Sequence, residues 1–146
     1  MYNTILVPLD GSKRAEAILP HVEVLAQRHG AKVVLLQVVE PVQLVAGPEM
    51  IYLEQYQEEF EQRAKEAASY LAGLKGAFGE KGIEVRTSVV HGPIVEAISE
   101  AAARENADLI TIASHGRTGL SRVFYGSVAA GVLHRVDRPL LVIRSA

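Results

Sequence analysis

Five short aliphatic runs alternate along this chain with stretches whose apolar residues recur every three or four positions, and this strict alternation confines it to a mostly parallel sheet between helices. The runs cover 4–9, 33–39, 83–90, 109–113 and 140–143. Between the first two, Ala15, Ile18, Val22, Leu25 and Ala26 share one helical face, and His29-Gly30 supplies a stop. Pro20 interrupts that helix, which must kink there or begin close to it. A long amphipathic helix follows, with Leu53, Tyr56, Phe60, Ala64, Ala67, Leu71, Leu74 and Phe78 on one stripe. Gly92-Pro93 opens a third helix that carries Ile94, Ala97, Ile98, Ala101 and Ala102 inward and frays near Asn106, and 127–136 forms a fourth. Short connections in such a βαβαβαβαβ order require right-handed crossovers, and the product is a doubly wound α/β domain spanning 1–146.

Composition narrows the chemistry. Aromatic residues make up only 5 % against 49 % apolar in all, so the core is built from Val, Leu, Ile and Ala, as buried parallel strands require. A net charge of −2 with both signs scattered gives no footprint for nucleic acid or an anionic membrane. The absence of cysteine excludes thiol chemistry and thiolate metal sites. The first residues lack a basic segment followed by a long apolar core, and no window approaches the ~18 apolar residues that span a bilayer, so a cytoplasmic setting is expected.

Ligands of doubly wound sheets bind beyond the carboxyl ends of the strands, where the strand order reverses. The densest polar signal lies there, after the fourth strand: Ala113-Ser114-His115-Gly116-Arg117-Thr118-Gly119, then Gly126-Ser127-Val128. Gly116 and Gly119 allow close backbone approach, and Gly126-Ser127 opens a helix whose free N–H groups attract an anion. Arg117 adds a fork of donors and Ser127 a hydroxyl. Singly, each has a structural reading as turn, cap or solvated charge; together they describe a phosphate cradle. Neither G-x-x-x-x-G-K-[ST] nor G-x-G-x-x-G occurs, which removes P-loop and Rossmann-dehydrogenase readings. Asp10, at the end of the first strand, either accepts from ribose hydroxyls or folds into an Asx turn with Gly11. His115 has no identifiable catalytic partner, and His21, His29, His91 and His134 show no metal-ligand spacing.

Ile5-Leu6-Val7-Pro8-Leu9-Asp10-Gly11-Ser12, Ala107-Asp108-Leu109-Ile110, the loop from Ser114 to Gly119, Gly126-Ser127-Val128 and Arg138-Pro139-Leu140-Leu141-Val142-Ile143-Arg144 together resemble the universal stress protein family over nearly the whole chain. The nucleotide-binding branch of that family carries G-x2-G-x9-G-[ST], which falls on positions 113, 116, 126 and 127, with Ala113 in place of the first glycine. The resemblance implies strand order 3-2-1-4-5 and homodimers formed through the last strand, Leu140 to Ile143. It also implies an adenine nucleotide, ATP, AMP or a relative, with or without Mg²⁺. Gly116, Gly126 and Ser127 would hold its phosphates, with Ala113, Ser114, His115, Arg117, Thr118 and Val128 beside them, while Pro8, Leu9, Asp10 and Val38 would receive ribose and adenine. Two other readings stay open: a dimeric interaction protein that needs no nucleotide, and a slow ATP hydrolase using Asp10 or His115. A receiver domain would want Asp at the end of the third strand, where Val90-His91-Gly92 stands, and a flavodoxin would want more hydroxyls after the first.

Overall fold

A computed structural model describes residues 1–41, 49–115 and 126–145. Strands β1 (Thr4–Leu9), β2 (Lys32–Val39), β3 (Val85–His91), β4 (Leu109–His115) and β5 (Leu140–Ser145) alternate with helices α1 (Leu19–His29), α2 (Glu49–Glu80), α3 (Ile94–Arg104) and α4 (Ser127–Arg135). All strand pairs are parallel and lie in the order β3-β2-β1-β4-β5. The expected fold and strand order are both found.

Strand period sets the two core layers. Ile5, Val7 and Leu9 of β1 with Val33 and Leu35 of β2 pack against Ile18, Val22, Leu71 and Phe78, beneath α1 and α2. The alternate residues Leu6, Val34 and Leu36 pack with Ile98, Ala101, Ile110 and Val132, beneath α3 and α4. α3 and α4 run close together: a side chain at Gly131 would start 2.7 Å from a Val95 methyl.

Pro20 introduces no kink. A 3-10 turn over Ala15–Ile18 precedes it, and α1 starts at Leu19, which puts Pro20 in the first turn, where its missing N–H costs nothing. Ahead of the 3-10 turn, the Ser12 Oγ accepts from the Ala15 N–H at 3.1 Å. Gly30 ends α1 at φ 63°, as expected, and Asn106 at φ 52° turns the chain out of α3. β3 begins two residues later than expected because Ile83 is still engaged in the turn after α2, donating to the Phe78 carbonyl.

β1 and β4, the two strands flanking the point of reversal, are registered over only two residue pairs, Ile5 with Leu109 and Leu6 with Ile110, whereas β1 and β2 are registered over six. Asp108 clamps the amino end of this seam: its carboxylate accepts from the Asn3 N–H at 2.8 and 3.1 Å and the Thr4 N–H at 3.1 Å, and its own N–H donates to the Thr4 carbonyl. Beyond Leu6 the strands part, bridged by the Thr111 hydroxyl donating to the Leu6 carbonyl at 3.3 Å. The crevice at the carboxyl end follows from this parting. No helix among the described residues is long and apolar enough to cross a membrane.

Candidate functional site

Where β1 and β4 part, a cleft of about 550 Å³, counted out to its open mouth, lies between the strand ends and the starts of α3 and α4. Pro8, Leu9 and Asp10 line it from β1, Ala113 and Ser114 from β4, and Gly126 and Val128 from the start of α4. The β1 residues lie more than 100 positions from the others along the chain, and the sheet brings them together. Ser127 is exposed at the first position of α4, and Val38, packed against the layer beneath α3 and α4, borders a separate cleft between β2 and α2. Gly116, Arg117 and Thr118 lie outside the described residues. His115 closes β4, its backbone registered with Ser145.

Gly126 precedes α4 at φ 85° and ψ 153°, a conformation essentially reserved for glycine, and accepts from the Ala130 N–H at 3.0 Å. The N–H groups ahead of Ala130 have no carbonyl within the helix, so the open amino end of α4 points its donors and its positive dipole end toward the cleft side of Gly126.

The expected loop begins later than the motif suggests. Ala113, Ser114 and His115 are strand residues registered with Ile143, Arg144 and Ser145, and Asn106 is the one described residue other than glycine with positive φ. Ala113 therefore occupies a backbone that alanine adopts without strain, and the glycine of the family pattern is not needed there for conformational reasons.

Asp10 makes the Asx turn: its Oδ1 accepts from the Ser12 N–H at 2.9 Å and the Ser12 hydroxyl at 2.6 Å, with Gly11 at φ 86°. One carboxylate oxygen is thus held by the turn, which fixes the direction of the group at the cleft mouth. Asp10 is the one carboxylate among the described lining residues, and no cluster of three or more His, Cys, Asp or Glu occurs among the described residues.

Three buried side-chain atoms among the described residues have no hydrogen-bond partner: Glu105 Oε1, Ser114 Oγ and Gln37 Oε1. Arg86 Nε approaches the first at 2.6 Å as an ion pair. The other two belong to the two clefts at the strand ends. Ser114 is 3 % exposed, and a hydroxyl buried without a partner is costly unless something pairs with it.

The match over residues 1–144 decides the family. The chain belongs to the universal stress protein family. Universal stress protein MJ0577 of Methanocaldococcus jannaschii is 31 % identical over 160 residues, covering 99 % of this chain and 96 % of the relative. The solved structure of MJ0577 superposes with a TM-score of 0.82 at 30 % identity, covering 100 % and 98 % of the two chains. Universal stress protein UspA from Lactobacillus plantarum superposes equally well, at 0.82 and 25 % identity over 98 % of each chain. A universal stress protein solved in complex with cAMP shares the fold, with a TM-score of 0.64 and 24 % identity over 99 % of this chain and 98 % of that one.

Sequence reasoning missed several contributors to this universal stress protein's clefts. Ile94, Ile98 and Ile112 form the apolar wall of the first, having been read only as core. Tyr70, on α2, donates to Glu16 Oε2 at 2.7 Å across 54 residues of sequence and lines the second. Burial, then the hydrogen bond to Glu16 and the negative charges of Glu16 and Asp10, push the phenol well above its ordinary value, so it remains a neutral donor. An unfolded tyrosine ionises near about pH 10. The contribution of this bond to stability is therefore complete below that pH and is lost as pH rises toward the folded-state value. Tyr70→Phe is expected to lower stability by about 0.5–1.5 kcal/mol at neutral pH. It should also flatten the alkaline decline, as read from urea melts between neutral pH and pH values above about 10.

Proposed function

We propose that this chain is an adenine-nucleotide-binding regulatory module, a single domain that takes ATP in the crevice between β1 and β4 and acts without fast turnover. The observation that carries this reading is the Ser114 hydroxyl, buried and unpaired in the wall of a cleft that also receives the open amino end of α4. A phosphate would supply acceptors for that hydroxyl and for the helix N–H groups at once. Gly116, Arg117, Thr118, Gly126, Ser127 and Val128 are assigned to the phosphates with Ala113, Ser114 and His115. Pro8, Leu9 and Asp10 are assigned to the ribose, and the strand end at Val38 to the base. The cAMP complex of a relative belongs to that protein, and it agrees with a nucleotide in this fold.

Asp10 suits holding a hydroxyl better than abstracting a proton, because Ser12 already engages one of its oxygens. The module is proposed to work in the cytoplasm as a homodimer joined along the edge strand β5. There Leu141 continues an apolar groove with Pro20, Val24 and Leu25, and an unpaired apolar edge favours a partner strand. Calorimetric titration of the purified chain, stripped of any co-purifying nucleotide, tests the central claim. Saturable binding of ATP at micromolar concentrations or below, measured with and without Mg²⁺, is expected. No heat from clean protein would overturn the nucleotide reading in favour of an interaction protein that needs none.

A further inference from the structure

The helices that follow β1 and β4 lie on opposite faces of the sheet, α1 in the layer with α2 and α4 in the layer with α3. The first cleft opens between the two chain exits that lead to them, at the point where the strand order reverses. It therefore has two banks. The open amino end of α4 at Gly126 forms one, and Ser12, Arg14 and Ala15 form the other.

Arg14 is the one basic side chain among the described lining residues. It lies outside the family's nucleotide-binding pattern, which falls on positions 113, 116, 126 and 127. Its backbone is held in place by the short turn it precedes: the Arg14 carbonyl accepts from the Ala17 N–H at 3.2 Å and the Ser12 carbonyl from the Glu16 N–H at 3.3 Å. Tyr70 ties the same turn to α2 through Glu16 at 2.7 Å. Of the two consecutive cations, Lys13 is exposed and takes no part in the lining, whereas Arg14 is half-buried at the cleft. That choice suits a phosphate, because a guanidinium presents a planar fork of N–H donors matched to phosphate oxygens, and an ammonium only a point charge.

Charge at the mouth calls for such a group. The Asp10 carboxylate is fixed there by Ser12, and every further phosphate on a ligand adds negative charge beside it. The amino end of α4 supplies only about half an elementary charge. A full positive charge on the facing bank offsets Asp10 and leaves the dipole of α4 to act on the ligand, so the balance favours longer phosphate chains most.

We propose that Arg14 grips the phosphates from the bank opposite α4 and makes this a polyphosphate site, one that prefers ATP to AMP. This rests on the nucleotide reading above. The test is calorimetric titration of ATP and of AMP, without Mg²⁺, into the wild type, Arg14→Gln and Arg14→Lys. The wild type is expected to favour ATP by roughly tenfold or more, the worth of one charge-assisted contact. Arg14→Gln, which loses the charge, is expected to weaken ATP by roughly tenfold and AMP by no more than about threefold, so that the preference collapses. Arg14→Lys should keep part of the preference, and added salt should weaken ATP binding more in the wild type than in the glutamine variant. Should the glutamine variant not fold, the lysine variant replaces it, read by the same ratio. A variant whose ratio of ATP to AMP affinity equals that of the wild type overturns the role of Arg14 and leaves the nucleotide site standing; a fall of both affinities by one factor is what a merely structural role in the turn would give. A wild type that binds both nucleotides equally overturns the proposal as well, and one that binds neither overturns it together with the nucleotide reading.

Discussion

Replacing Gly126 with valine is expected to abolish nucleotide binding, a loss of at least a hundredfold in affinity on the order of a few kcal/mol. Two effects act together. At φ 85° and ψ 153° the backbone of Gly126 lies where a β-branched residue is strained by about 1–3 kcal/mol, so the valine pulls the chain toward negative φ and turns the first N–H groups of α4 away from the cleft. The added side chain also occupies the approach that a phosphate would use, because Gly126 is part of the cleft lining. The core beneath α4 is carried by Ala129 and Val132, which stay in place, so the variant should fold with only that strain deducted from its stability. Titration with ATP, paired with a thermal melt, reads both quantities. Gly126→Ala separates the causes, since it keeps the strain and removes most of the bulk. A valine variant that binds ATP like the wild type would remove the amino end of α4 from the site.

The largest effect on stability is expected at Ile98. Its side chain is fully buried in the layer beneath α3, with Leu6, Leu36 and Ile110, and also forms part of the wall of the first cleft. Ile98→Ala should cost about 2–5 kcal/mol, and at this chain length each kcal/mol moves the melting temperature by about 2–4 °C. Because the cleft wall is part of the core, a saturating ligand that binds only the native state should restore part of that loss, in proportion to the logarithm of its concentration over its dissociation constant. Melts of wild type and variant across an ATP series measure this. A loss below about 0.5 kcal/mol would show that α3 is not packed through this residue.

The layering was legible because it depends on local period. The runs that became β1 and β2 alternate their residues between two cores, and the face of α3 carries four buried residues, Ala97, Ile98, Ala101 and Ala102, all of them named from spacing. Pro20 was legible as a boundary but not as which kind, since only the 3-10 turn ahead of it decides between a kink and a start. The extent of β4 was not legible. Ser114 and His115 look like loop residues by composition, and they become strand because β5 offers Arg144 and Ser145 as partners, a pairing some 30 residues away. Gln37 is the one polar residue in the run 33–39, and the cleft it lines with Ala67 of α2 is set by another element. The family pattern points to the carboxyl end of the sheet because strand order dictates it, while the unpaired Ser114 hydroxyl and Gln37 amide oxygen stand out only once burial is known.

The seam between β1 and β4 divides the sheet into two panels, β3-β2-β1 and β4-β5, pinned at one end by Asp108 and apart at the other. Such an arrangement resembles a clothes-peg, stiff within each arm and softest at the tips. A guest gripping Ser114 on one arm and Asp10 on the other works as a clasp, and its first consequence is mechanical. Amide protons of Val7, Leu9 and residues 111–113, with few partners across the seam, should exchange with solvent faster than those between β1 and β2, and should be slowed most by an occupant. Occupancy would then be legible at the outer edge β5 without any change of shape, as a difference in how freely one arm moves against the other.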